Sequence, residues 1–162
     1  MKIALIRIEI LLILICFSQT VKCQGFSADK ISLSNFIKRM YNTSPFEGVK
    51  IVDDYDHKYL ISVLSLEKAK YTSATAMNRV AQVKGQRQAS TFLNGSTITS
   101  ELVIKTTEKK EDTNLSSIIE TIESIKENSI GFVNEIELLQ NFDSDDGKQM
   151  VFIYYKELKE KK

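Results

Sequence analysis

The sequence predicts an α+β fold, in which a mostly antiparallel sheet of about five strands has two to three helices packed on it. Segments with apolar residues three and four positions apart, typical of amphipathic helices, are interspersed with segments in which apolar residues recur at every second position, typical of strands. The composition fits an ordinary folded domain, since the 162 residues include one Pro and six Gly and 43% are hydrophobic. The predicted order of elements is α-β-β-α-β-α-β-β.

The first 23 residues have the layout of a secretory signal peptide. Lys2 and Arg7 supply positive charge, residues 10–17 (ILLILICF) form an apolar core, and a polar end leads to cleavage before Gln24. This apolar run is far shorter than the roughly 20 residues needed to span a bilayer. We therefore predict a signal peptide over residues 1–23 and a single globular domain over residues 24–162.

Membrane attachment is predicted only if Cys23 is lipidated. The residue before it, Lys22, is neither small nor neutral, whereas an acylation site requires small residues at that place. Cys16 and Cys23 both lie in the leader, so the mature domain contains no disulfide, no thiolate metal site and no cysteine nucleophile. Export without disulfides fits a bacterial periplasm better than a eukaryotic extracellular space.

The mature chain begins with a predicted helix and a predicted hairpin. Apolar residues fall on one helical face over residues 27–41, and Pro45 ends this helix because the residue before a proline is pushed out of the helical region. Two strands follow near residues 49–51 and 59–63. The polar residues 53–58 (DDYDHK) between them predict a hairpin connection.

The longest helical pattern covers residues 67–93 and has a stripe of mainly small side chains. Small residues let a helix approach a sheet closely, so this face is expected to sit directly on the sheet. The polar residues beside it are expected to be solvated or to cover the edges of the stripe. The stripe consists of Ala74, Met77, Ala81, Gly85, Ala89 and Phe92, and the polar residues are Arg79, Lys84, Arg87 and Gln88.

Four further elements complete the predicted fold. Residues 96–105 are predicted as a strand, residues 115–125 as a helix and residues 132–142 as a strand. The sequence Asp145-Asp146-Gly147 indicates a hairpin turn, since Asp-Gly tolerates positive φ. The partner strand, residues 150–155 (MVFIYY), is apolar without interruption, which indicates a place in the interior of the sheet.

Residues 74–100 resemble a helix and strand of a known family. An alanine-rich helix carrying an Arg runs into Phe or Leu, then a turn, then a strand of the type I-x-S-E, as in the outer-membrane lipoprotein-20 family and the N-terminal domain of flagellar-assembly T proteins. The resemblance extends over about residues 70–155 and implies an exported envelope domain that acts through protein contacts, without catalytic residues. The matching positions are Ala81, Gly85, Ala89, Phe92, Leu93, Ile98, Ser100 and Glu101.

The densest polar cluster is a candidate for metal binding or hydrolysis. Three carboxylates and one imidazole suit a divalent cation, but all four residues fall in a predicted turn, where Asp is favoured for backbone reasons. A hydrolase would require them to converge with Glu67 or Glu101 in one cleft. The cluster consists of Asp53, Asp54, Asp56 and His57.

Three other groups of residues could carry a function, and each also has a structural explanation. The acidic residues Asp143, Asp145 and Asp146 lack the spacing of a calcium loop, so a hairpin turn explains them better. The three cations Arg79, Lys84 and Arg87 on the predicted long helix could bind phosphate, although such a row of charges is more often a solvated face. Tyr154 and Tyr155 could stack a ligand, although an apolar strand favours a place in the core and at its rim.

These observations predict an exported, non-enzymatic bacterial envelope domain. We expect it to act through contacts with an unknown envelope protein or through self-association, and to be periplasmic or secreted, with an outer-membrane lipoprotein as the alternative. A second hypothesis is a module that binds a small apolar ligand in a cavity lined by Met77, Phe92 and Ile118. A hydrolase is the third. No catalytic, cofactor-binding or metal residue is assigned, and a net charge of +1 gives no general attraction to nucleic acid.

Overall fold

The computed structural model describes residues 28–54, 57–95, 97, 99–106, 115–126 and 129–159. The chain divides into two units, residues 1–31 and residues 32–162. The signal peptide predicted over residues 1–23, with Cys16, Cys23 and the cleavage position before Gln24, lies outside the described residues.

The described residues form four helices and five strands, which confirms the predicted α+β class and the order of its segments. A short helix, α4, is added to the predicted set. In chain order the elements are α1 (Ala28–Thr43), β1 (Gly48–Asp54), β2 (His57–Glu67), α2 (Ala74–Gly95), β3 (Val103–Lys105), α3 (Leu115–Lys126), α4 (Ser129–Asn134), β4 (Glu137–Asp143) and β5 (Gln149–Glu157).

The five strands form one sheet in the order β3-β1-β2-β5-β4. The β1–β2, β2–β5 and β4–β5 pairs are antiparallel, and β3 pairs with β1 in parallel. Strand β5, which contains the MVFIYY run, has a hydrogen-bonded neighbour on each side. The prediction of an interior place for this strand is therefore confirmed.

Apolar side chains cover both faces of the sheet. On one face, side chains of α2 and α3 pack with alternate residues of the strands, including Leu60, Leu64 and Phe152. On the other face, Leu33 and Ile37 of α1 pack with the intervening strand residues. Strand β2 is therefore buried on both sides, which explains why its apolar pattern continues through residues that a period of two assigns to solvent.

The predicted start of the long helix was wrong. Strand β2 continues to Glu67, and a 3-10 turn over Lys68–Lys70 follows before α2 begins at Ala74. The Ser73 hydroxyl accepts a hydrogen bond from the Ala76 N–H at 3.2 Å, which caps the first turn of α2. Helix α2 therefore begins where a side chain can satisfy its free backbone N–H groups.

Two predicted strands are shorter than the sequence pattern indicated. Among the described residues of the predicted strand 96–105, Val103–Lys105 alone pair with the sheet, and a 3-10 turn over Ser100–Leu102 precedes them. The first residues of the predicted strand 132–142 belong to α4. The Val133 side chain is buried in the core as part of this helix. A register shift near Leu139 then breaks the alternation in β4.

Both predicted hairpins are present. Asp54 pairs with His57, so Asp53, Asp54 and His57 belong to strands, and not to the turn where the sequence placed them. In the β4–β5 turn, Gly147 has φ of +67° and its N–H donates to the Ser144 carbonyl at 2.8 Å. Positive φ is the reason that glycine occupies this position.

Candidate ligand-binding groove

Helix α2 lies directly on the sheet through its small residues. Ala81, Gly85 and Ala89 are buried, and a Cβ atom added at Gly85 would come within 2.7 Å of the Tyr154 ring carbon Cδ2. A larger residue at this position would push the helix away from β5. The prediction of a close approach between the small-residue stripe and the sheet is therefore confirmed.

A buried serine connects the sheet to the flank of α2. Ser62 lies on the α2 side of β2, and its hydroxyl donates to Gln88 Oε1 at 2.7 Å and lies 3.3 Å from the Gly85 carbonyl oxygen. A buried hydroxyl requires such a partner. This bond holds the Gln88 side chain in place and leaves its amide nitrogen as the group that can donate to a ligand.

A groove of about 420 Å³ runs between this flank of α2 and the start of β1. The volume falls within the range of about 300–1,000 Å³ that is typical of small-molecule sites. Five of its residues are spaced three and four apart along α2, so they form one face of the helix beside the buried stripe. The groove is lined by Gly48, Val49, Lys84, Arg87, Gln88, Thr91, Phe92 and Leu102.

The wall opposite α2 is formed where β1 begins. Gly48 has φ of +108°, a conformation that side chains rarely allow, and a Cβ atom there would meet nothing within 4 Å. Strand β3 pairs with β1 only from Ile51 onward, so the 3-10 turn containing Leu102 lies beside the first residues of β1. The Lys50 ammonium donates to the Glu101 carbonyl at 3.1 Å and fastens this turn to the strand.

The groove carries positive charge that the described residues do not neutralise. Lys84 and Arg87 are exposed, and neither forms an ion pair or hydrogen bond within the described part of the chain. None of the lining residues is acidic. Like charges three positions apart on a helix repel by about 0.2–0.5 kcal/mol, so an anion bound between them would relieve a repulsion as well as form new contacts.

The predicted polar cluster has structural roles. Thr106 donates to the Asp53 carbonyl at 3.2 Å through its N–H and to Asp54 Oδ1 at 2.6 Å through its hydroxyl. His57 Nδ1 lies 2.8 Å from Glu157 Oε1. Asp56 lies outside the described residues. Among those described, no three His, Cys, Asp or Glu side chains are arranged to hold a metal ion.

The two candidate glutamates are far apart. Glu101 contacts Lys50 through its carbonyl, and Lys50 pairs with Ile61 of β2. Glu67 lies six residues farther along β2, about 20 Å at the usual rise of a strand, and forms an ion pair with Lys70. Lys58 pairs with Asp53, so Glu67 lies nine residues along β2 from the predicted cluster, about 30 Å, and does not converge with it. Glu101 lies four residues before Lys105, which pairs with Asp53 across the sheet.

The acidic residues near Gly147 lie in the hairpin turn and at the end of the strand that leads into it. Asp146 accepts hydrogen bonds from the Ser144 hydroxyl and the Lys148 N–H, and these bonds, the first above all, lower the pKa of its carboxyl. Asp143 forms an ion pair with Lys68 at 2.7 Å. The contacts of Asp146 are those of a turn, as the sequence indicated, whereas Asp143 ends β4 and contacts the 3-10 turn that follows β2.

The two tyrosines of β5 lie in the core and at its rim, as expected for an apolar strand. Tyr154 is 3% exposed and lies under Gly85, and burial raises the pKa of its hydroxyl to about 12. Tyr155 is half-buried on the opposite face, and its hydroxyl donates to Glu137. Neither lines the groove.

The structure separates the three residues that the sequence offered as the lining of an apolar cavity. Met77 and Ile118 are packed in the core, and of the three predicted lining residues only Phe92 borders the groove. Arg79 is exposed on α2 outside it. The spacing of Lys84, Arg87 and Gln88 indicates that they share one face of α2 and could have pointed to this wall of the groove. Nothing local in the sequence links them to Gly48 or Leu102.

These features define an α+β domain with an open, cation-bearing groove beside its central helix. Comparison with known proteins gives no match: no family model, curated protein or solved structure is similar to the chain. In the ranges that the structure describes, no helix is both long and apolar enough to cross a membrane.

Proposed function

We propose that this chain is an exported, non-enzymatic binding protein that holds an anionic ligand in the groove beside α2. The observation that carries the proposal is a pair of cations, Lys84 and Arg87, that no described residue neutralises and that lie above an apolar wall that includes Val49 and Phe92. Apolar walls with a few convergent polar groups are typical of ligand sites.

Binding is favoured over catalysis by the contacts of the titratable residues. The carboxylate of Asp54 and the imidazole of His57 bond to side chains that fasten neighbouring strands, and the groove itself is lined by no carboxylate or histidine. A histidine or a carboxylate is the side chain that most often serves as general acid or base within reach of a substrate. The predicted contact with an envelope protein or a second copy of the chain is not tied to a particular surface, and it stays a prediction.

The binding proposal predicts charge-dependent binding of an anionic aromatic dye. Anilinonaphthalene sulfonate is expected to bind with enhanced fluorescence, and Lys84→Gln and Arg87→Gln should each weaken its affinity about two- to fivefold, the range for exposed ion pairs. Arg79→Gln is the matched control, because it removes a cation from the same helix outside the groove.

The binding proposal fails if all three variants bind the dye alike or if the folded protein does not bind it. Circular dichroism should show that each variant remains folded, since loosely packed states also bind this dye. Raising the salt concentration should weaken binding by the unmodified protein more than by a variant that carries both Lys84→Gln and Arg87→Gln, because salt screens exposed charges.

Export is supported by the charge pattern and apolar core of residues 1–23. The protein recovered from the envelope fraction of its host is expected to have the intact mass of a chain beginning at Gln24. A Cys23→Ala variant should give the same mass. An acylated chain beginning at Cys23, absent from the variant, would instead make the protein an outer-membrane lipoprotein, and a chain retaining the leader would contradict export.

A further inference from the structure

The groove changes from charged to apolar along its length. Its α2 side begins with Lys84 and Arg87, continues through Thr91 and ends at Phe92. Phe92 lies eight positions after Lys84 along the helix, about 12 Å at the helical rise. A ligand that follows the groove therefore meets cations at one end and an aromatic ring at the other.

The apolar end of the groove is continuous with the hydrophobic core. Phe92 belongs to the core cluster beneath α2, and Val49 and Leu102 are partly buried against that cluster. Each of the three also lines the groove. A small hydrophilic anion would leave these surfaces in contact with water, whereas a hydrocarbon chain would cover them.

We infer that the ligand is a single-chain amphiphile with an anionic head group, of which a medium-chain carboxylate is the simplest member. Its head lies between Lys84 and Arg87, with the Gln88 amide as a further donor, and its chain lies along Val49 and Phe92. This inference rests on the proposed function and narrows it to one class of ligand.

A peptide strand is the competing occupant and is less well matched. It would need the free edge of β1 beside Gly48, but the turn containing Leu102 already occupies that side and is fastened by the bond from Lys50 to the Glu101 carbonyl. A single hydrocarbon chain needs no backbone hydrogen bonds and fits the groove without moving this turn.

Calorimetric titration with hexanoate, octanoate, decanoate and dodecanoate, each below its micelle concentration, tests the inference. Affinity should rise by up to about fourfold for each methylene that enters the groove, the equivalent of about 0.8 kcal/mol, and level off once the chain exceeds it. Decylammonium has the same chain with the opposite charge and should bind at least about tenfold more weakly, because it would lie beside two cations.

Two sets of variants separate recognition of the head from recognition of the chain. Lys84→Gln with Arg87→Gln should abolish the preference for decanoate over decylammonium, and Arg79→Gln should keep it. Val49→Thr has nearly the same shape and should flatten the dependence on chain length while the preference for the anion remains. Circular dichroism and the midpoint of thermal unfolding verify that each variant is folded.

The possible results distinguish the inference from the proposed function. If the dye binds through Lys84 and Arg87 but affinity for the carboxylates does not depend on chain length, the inference is wrong and the anion site remains. If neither dye nor carboxylate binds, both are wrong. Displacement of the dye by a peptide with a free terminal carboxylate, at concentrations where decanoate has no effect, would overturn the inference in favour of a peptide ligand.

Discussion

Replacing Phe152 with Ala is expected to lower the free energy of unfolding by about 3–5 kcal/mol. Phe152 is fully buried in β5, between Leu64 of β2 and Asn141 of β4 in the register of the sheet, and its side chain faces the core beneath α2 and α3. The substitution removes a whole aromatic ring, and the rigid strands on both sides cannot collapse into the space.

Urea denaturation followed by circular dichroism measures this loss. Val83→Ala is the control, because Val83 lies on α2 with 64% of its surface exposed and should change stability by less than about 0.5 kcal/mol. A loss below about 1 kcal/mol for Phe152→Ala would contradict the packing described for this face of the sheet.

Gly85→Val is expected to lower the free energy of unfolding by about 3 kcal/mol. The first added carbon already approaches Tyr154 to 2.7 Å, and the ring is confined because Tyr154 is buried. Valine is a better helix former than glycine by less than about 1 kcal/mol, so overpacking should outweigh the gain in helix propensity. The helix must move away from β5, which also displaces Gln88 from Ser62 and disturbs the groove.

A second glycine of the same helix provides the control for this prediction. Gly95 ends α2 with nothing within 4 Å of an added Cβ atom, so Gly95→Val should change stability by less than about 1 kcal/mol. A Tyr154→Ala background should reduce the cost of Gly85→Val, because the clash is with that ring. Equal costs in the two backgrounds would show that the contact with Tyr154 is not the cause.

Local patterns in the sequence were sufficient for much of the fold. The small residues Ala81, Gly85 and Ala89 predicted a helix packed directly on the sheet, and the uninterrupted apolar run in β5 predicted an interior strand. Asp-Gly chemistry predicted the turn at Gly147. Each of these features depends on a repeat or a turn within a few residues, which is the range over which sequence patterns carry a physical signal.

The predicted bounds of strands were wrong where the conformation of a segment depends on residues far away in the chain. Val103–Lys105 becomes a strand only by pairing with β1, about fifty residues earlier, whereas the described residues directly before it form the 3-10 turn over Ser100–Leu102. The alternating apolar residues near Val133 fit a strand or a helix, and packing beside α2 decides for the helix. Short apolar runs are ambiguous for this reason.

In the groove too, one wall could be predicted from local sequence and the other depends on the tertiary structure. Lys84, Arg87 and Gln88 could be assigned from helical spacing to one flank of α2, at the edge of its buried stripe. That Gly48, Val49 and Leu102 stand opposite them follows from the order of strands in the sheet and from the close approach at Gly85. Contacts between residues so far apart in the chain depend on the packed whole, because no local interaction brings them together.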